Sequence, residues 1–199
     1  MKNNNDYKYI DVTKEWLRNA RPNSHEITID NIFIDDFGIK HPIPNQEKAN
    51  IPNKFSEEYR IANIIKRKLG GNIHLQPRIE TAKGYKGIVS VPTPDYKWNG
   101  IKWDLKTPTT KGKFDTSIER FFKKVKKVKK QSRKYIINFK HYSQYSDKDI
   151  IDLAQRTLNN PHRNFIENLI LIKDDEIIKI YVRKQKELPS SKGSTRVQM

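Results

Sequence analysis

The chain contains no cysteine. Disulfides and thiolate metal centres are therefore excluded. Five histidines, His25, His41, His74, His141 and His162, stand at no ligand spacing, so zinc is not expected. No apolar run approaches the ~18 residues of a transmembrane helix. The opening residues Met1 to Asp6 are polar and lack an apolar h-region, so no standard signal peptide is predicted. Action in the cytoplasm, with no membrane partner, is the expectation. There is no glycine-rich phosphate loop, no Gly-x-Ser-x-Gly elbow and no other nucleophile signature. Acidic residues are few beside basic ones, 23 against 40, and the net charge is +17. Such an excess argues about partners rather than fold, and a polyanion, nucleic acid first, is the natural one. A solvated surface in a lysine-favouring chain is the plainer explanation, but the excess is concentrated along the sequence.

What is present is enough for one hydrophobic core. The chain has 199 residues, 35% of them hydrophobic, in short periodic runs of Ile, Phe, Tyr and Val. Residues 1–55 read as an N-terminal extension. In it Thr13 caps a short helix through Ala20, and Ile27 to Ile34 alternates as a strand. Pro42, Pro44 and Pro52 then break regular structure. Residues 56–183 read as the main domain, and the polar tail 184–199 as disordered.

In that domain Ser56 opens a helix with Glu57 and Glu58 in its first turn, closed by Gly70-Gly71. Glu58 lies four, seven and eleven residues before Ala62, Ile65 and Leu69, at the edge of the apolar stripe. A strand over Asn72–Ile79 follows, then a loop to Pro92. Next comes a hairpin, Pro94–Lys106, with Asn99-Gly100 between alternating strands, a strong signal for a type I′ turn. A second helix over Asp115–Lys130 carries Ile118, Phe121, Phe122, Val125 and Val128 on one face. Lys123, Lys124, Lys126, Lys127, Lys129 and Lys130 lie on the other. A strand at Lys134–Lys140, a helix capped by Ser146 and running to Leu158, and strands at Phe165–Lys173 and Glu176–Arg183 complete the order α-β-β-β-α-β-α-β-β. This is an α/β (α+β) mixed sheet with flanking helices.

The hairpin carries the chemistry. With Asn99-Gly100 as the turn, Trp98 opposes Ile101, Lys97 opposes Lys102, Tyr96 opposes Trp103, and Asp95 opposes Asp104. Directly opposed carboxylates repel. They need a metal ion, a shared proton or a nearby cation. Lys106, two residues after Asp104, shares its face and can be that cation. An exposed hairpin with paired Asp and Lys is the structural alternative. Pro94-Asp95, Asp104-Leu105-Lys106 and Glu58 together make the functional reading stronger. Candidate catalytic residues are thus Asp95, Asp104, Lys106 and Glu58, the three acids doubling as Mg²⁺ ligands if the site uses metal. Candidate nucleic-acid contacts are Thr107, Lys123, Lys126, Lys127, Lys130, Gln131 and Arg163. An unopposed lysine face suits a phosphate backbone, and a loop arginine can clamp a phosphate.

Several stretches resemble the C-terminal tRNase domain of CdiA-type contact-dependent inhibition toxins, a domain also found in polymorphic toxins and fused to phage minor head proteins. These are Pro77-Arg78, Thr93-Pro94-Asp95-Tyr96, Asn99-Gly100, Trp103-Asp104-Leu105-Lys106, Lys130-Gln131-Ser132, Ser146-Asp147 and the closing Tyr181-Val182-Arg183. The segment Thr109–Phe114 lacks the Gly-Ser-Gly-Lys-Asn loop associated with the family. The resemblance implies an endoribonuclease toxin acting on tRNA, with a cognate immunity protein. It leaves two toxin-nuclease scaffolds open: the barnase–EndoU–colicin–RelE kind, usually metal-free, and the PD-(D/E)xK kind, which uses divalent metal. A metal-dependent DNA endonuclease and a non-enzymatic nucleic-acid-binding phage or mobile-element protein are the competing readings.

Overall fold

The computed structural model describes residues 7–24, 27–29, 32–34, 40–42, 56–76, 94–109, 113–125 and 132–185. The expected order from Ser56 is the one observed. It runs α2 (Ser56–Lys68), β5 (Ile73–Leu75), β6 (Tyr96–Trp98), β7 (Ile101–Lys106), α3 (Ser117–Val125), β8 (Lys134–Asn138), α4 (Asp147–Leu158), β9 (Asn168–Lys173) and β10 (Glu176–Gln185). Before it come β1 (Tyr7–Asp11), α1 (Thr13–Arg18), β2 (Ile27–Ile29), β3 (Ile32–Ile34) and β4 (Lys40–Pro42).

Eight strands form one mixed sheet in the order β1-β10-β9-β8-β7-β6-β5-β2, and β3 pairs with β4 as a separate ribbon. The strands β7, β8 and β9 run parallel, as do β2 and β5, while the other neighbours are antiparallel. Both faces of the central strands are covered, which is why β8 and β9 read as unbroken apolar runs. Ile136, Ile170 and Ile172 pack with Ile61 and Ile65 of α2 and with Leu69 just after it. Tyr135, Ile137, Leu169 and Leu171 pack with Ile118 and Phe122 of α3 and with Leu153 and Leu158 of α4. The alternation along each strand thus divides one sheet between two cores.

Two expectations change. The segment read as an extension supplies β1 and β2, both built into the sheet: Tyr9 stands opposite Arg183 and Ile27 opposite Ile73. Thr13 does not cap α1; Val12 is the N-cap residue. The Thr13 hydroxyl instead accepts from the Ile180 N–H and bonds to the Asp11 carboxylate, tying α1 to β10. Helix α4 starts as expected, with Ser146 and Asp149 forming a reciprocal capping box. Helix α3 is described to Val125, so the reading of its continuation to Lys130 lies outside the described residues.

Candidate active site

The β6–β7 hairpin has the register read from its turn: Tyr96 opposite Trp103, Lys97 opposite Lys102, Trp98 opposite Ile101. Asn99 and Gly100 both have positive φ, 49° and 76°, as a type I′ turn requires. The strand pairing stops at Tyr96. Beyond it the Asp95 side chain takes the place of a strand carbonyl, its Oδ2 accepting the Leu105 N–H at 2.6 Å. The Asp95 carbonyl accepts from the Gln76 N–H at 3.0 Å. These two bonds hold Asp95 beside Asp104, and both residues are only 2% exposed.

Lys106 Nζ stands 2.7 Å from Asp104 Oδ2. The other oxygen, Oδ1, is buried without a hydrogen-bond partner. Burial, then contact with Asp95, pushes the Asp104 carboxyl up to about 7, and the Lys106 ammonium pulls only part of the way back. On β8, Tyr135 is the register partner of Asp104 and Ile137 that of Lys106. The Tyr135 phenol lies above its usual range, first through burial and then through the Asp104 charge. Tyr96 is fully buried and likewise raised, by burial and then by Asp95, Glu58 and Glu57.

The structure brings Asp95, Asp104 and Lys106 together. It does not bring the Glu58 carboxylate into a metal-holding group with them: among the described residues no three His, Asp or Glu side chains form such a group. Glu58 approaches through its backbone, its carbonyl accepting the Tyr96 hydroxyl at 2.9 Å. The neighbouring Glu57 makes side-chain contacts with β8 and the residues after it. Its Oε1 accepts from Asn138 Nδ2, and its Oε2 lies 2.8 Å from Lys140 Nζ at the end of β8. Burial raises the Glu57 carboxyl, but hydrogen bonds from Arg60 and Lys140 outweigh it and hold the group below the usual range. The sequence signal for Glu57 was the same first-turn position that drew attention to Glu58.

Arg163 is not on a surface loop. It lies in a short 3₁₀ turn, is 5% exposed, and its Nε is buried without a partner. Thr107 follows β7 and is half-buried. Lys123 lies within α3, while Lys126, Lys127, Lys130 and Gln131 fall outside the described residues, as do Pro77-Arg78 and Thr93.

A mixed sheet with helices on both faces is consistent with an α/β toxin-nuclease fold. Residues 92–177, which span the hairpin and the strands beside it, match the family model for the contact-dependent growth inhibition CdiA C-terminal domain. Over those residues, under half of its length, the chain is similar to a CdiA-type C-terminal toxin domain. Such domains are generally nucleases and are generally paired with cognate immunity proteins. No curated protein and no solved structure matches the chain significantly. Among the described residues no helix is long and apolar enough to cross a membrane.

Proposed function

We propose that the domain is an endonuclease toxin that cuts structured RNA, tRNA foremost, with Asp95, Asp104 and Lys106 as its reacting groups. The observation that carries this reading is the buried contact between two carboxylates served by a single lysine. Opposed buried acids cost stability, and such costs concentrate where chemistry needs them. A carboxyl with a pKa near neutrality can take a proton from an attacking hydroxyl. RNA supplies that hydroxyl from its own 2′ position. The Lys106 ammonium would hold a phosphate oxygen and offset the charge that develops on it. Lys97 and Lys102, opposed on the face that carries Asp104, give the approaching backbone further positive charge. Thr107, Lys123, Lys126, Lys127, Lys130 and Gln131 are proposed as outer contacts; Arg163, being buried, would act through the packing of its turn.

The donor set suits a hard cation. Mg²⁺ is commonly held by one or two carboxylates with water and phosphate. Asp95 and Asp104 would hold it here, and the unpartnered Oδ1 of Asp104 is an atom such an ion would satisfy. When bound it would polarise the phosphate and acidify water.

The second reading, a metal-dependent DNA endonuclease, is favoured by one pattern. Pro94-Asp95 and Asp104-Leu105-Lys106, set in the order α-β-β-β-α-β, resemble the PD-(D/E)xK arrangement. The experiment is cleavage of tRNA and of plasmid DNA, each with Mg²⁺ and with EDTA. Cutting of tRNA alone supports the proposal, and the EDTA arm assigns the role of metal. Cutting of plasmid alone selects the second reading. Binding without cutting of either overturns both.

A further inference from the structure

The protein has three tryptophans, and all three meet in one place. Helix α1 lies over the turn end of the β6–β7 hairpin. Between them is a cavity of about 330 Å³ whose lining includes Glu15, Trp16, Asn19, Trp98, Asn99 and Trp103. Trp98 is fixed, donating from Nε1 to the Gly70 carbonyl at 2.9 Å. Trp16 meets Trp98 edge-on with centroids 6.1 Å apart, and Trp98 meets Trp103 at 5.3 Å and 47°. Rings this close touch one another, so they leave no cage around a small cation; they form a continuous wall. Lys134 already lies over Trp103, at 5.8 Å from its centroid, and Trp98 and Trp103 are nearly buried. Trp16, half-buried, is the ring left to receive a ligand.

The space is open to solvent on one side, a surface cleft rather than a sealed void, with exposed Glu15, Asn19 and Ile101 at its rim. It falls at the small end of ligand pockets and has room for a flat bicyclic ring. The polar lining is of the kind that reads a base edge. Asn99 Oδ1 is engaged by the Asn72 N–H at 2.9 Å, which leaves its amide N–H groups as donors. Glu15 is acceptor-only when ionised. Lys14 and Arg18, exposed on the same helix, supply charge for a phosphate backbone, on a chain of net charge +17.

We propose that this pocket is a nucleobase subsite that takes one unstacked base of the bound RNA, guanine in preference to the others. Guanine presents two adjacent donors, N1–H and N2–H, and the Glu15 carboxylate matches that edge. Stacking on Trp16 supplies the sequence-tolerant part of the affinity. The pocket lies on the opposite hairpin face from Asp104, and Ile101 at its rim is three residues, about 10 Å, along β7 from Asp104. The captured base therefore belongs to a nucleotide away from the scissile phosphate. The inference takes from the proposed function only that the base arrives on RNA, and its test is independent of cleavage.

The test uses the full chain with 5′-GMP, and with the other three mononucleotides, as probes. Binding is followed by NMR of the three indole N–H signals, with a short single-stranded RNA as a further arm. Saturable shifts of the Trp16 indole signal, strongest with GMP, are expected. Glu15→Gln should bring GMP down to the level of the other bases. Trp16→Leu should weaken all binding about tenfold or more at an unchanged Tm. If that variant loses its fold, Asn19→Asp provides the second measurement, since an added carboxylate should repel nucleotide. No saturable shift of the wild-type Trp16 signal, or binding equal in wild type and folded Trp16→Leu, overturns the subsite. GMP preference that survives Glu15→Gln overturns the assignment of guanine to Glu15. GMP binding by a chain that cuts no nucleic acid would leave the subsite standing and remove the nuclease reading instead.

Discussion

Lys106 holds one oxygen of the Asp104 carboxylate at 2.7 Å, while the other oxygen of the same group is buried with no hydrogen bond. One carboxylate thus has a paired side and an unpaired side, and Asp95 is in contact with it. Removing the charge from Asp104 separates stability from catalysis. Asp104→Asn should melt at the same temperature as the wild type or higher, since repulsion with Asp95 disappears. The same change should cost about 10²-fold or more in cleavage rate, because a positioned base or metal ligand is lost. Thermal melts beside cleavage assays check this. A variant that melts markedly lower and still cuts would make the hairpin scaffolding.

The raised Asp104 carboxyl sets a pH dependence. Its folded value, about 7, lies above the unfolded 3.8, so the folded chain binds the proton more tightly. Stability from this group is full below about pH 4 and is lost as pH rises through about 7. At roughly 1.4 kcal/mol per unit, the loss is on the order of 4 kcal/mol. Denaturant titrations in chelator from about pH 4 to pH 8 should show the decline in wild type. Asp104→Asn should show a flatter profile, and an equally steep one in the variant would move the titration to another group.

Lys106→Met tests the counter-ion. It should lower cleavage by about 10²-fold or more through loss of the phosphate contact. It should also destabilise the fold by about 1–3 kcal/mol at pH 8, where the buried carboxylate is left uncompensated. Near pH 5, with Asp104 protonated, the stability loss should shrink. A loss that does not change with pH would mean that Lys106 acts by packing.

Glu57 and Glu58 are separable by substitution. Glu57→Gln removes a charge bonded to Lys140 and Arg60, and on a half-exposed group the cost should stay within about 1 kcal/mol. Glu58→Gln should abolish cleavage if Glu58 completes a metal site, with EDTA abolishing it in wild type. If both treatments leave cleavage intact, the site is metal-free and Glu58 serves the helix start through the dipole.

The lysine run over residues 123–130 makes a salt-dependent prediction. Each phosphate contact should add about 0.7–0.9 to the fall of log affinity with log salt. Changing Lys123, Lys126, Lys127 and Lys130 to Gln should flatten the slope by about 0.7–0.9 for each contact removed. An unchanged slope in RNA-binding titrations would turn this face away from the nucleic acid.

Local signals made much of the fold legible. Asn99-Gly100 permits two positive φ angles in a row, which fixes the hairpin register and with it the meeting of Asp95 and Asp104. Strand and helix periods from Ser56 onward gave the element order. Pairings between distant segments left no such mark. Tyr7–Asp11 is mostly exposed or half-exposed, without a clean alternation, so nothing local identified it as an edge strand against β10. Glu57 and Glu58 share one helical turn, and an apolar stripe does not decide which carboxylate meets Asn138. Arg163 looked like a surface residue because arginine rarely tolerates burial, and only the folded turn shows it buried, with the Tyr9 phenol bonded to its carbonyl and to that of Ile166.

The pairing of β1 with β10 joins the first described strand to the last, and Lys179 binds Asp11 across the seam at 2.8 Å. The sheet therefore closes only after both strands are free to meet. Contacts so distant along the chain are slow to form, because the loop they close must first be brought together. The β1–β10 seam is therefore expected to close late, after the strands between them are in place, and the Asp11–Lys179 pair fastens it once it has closed.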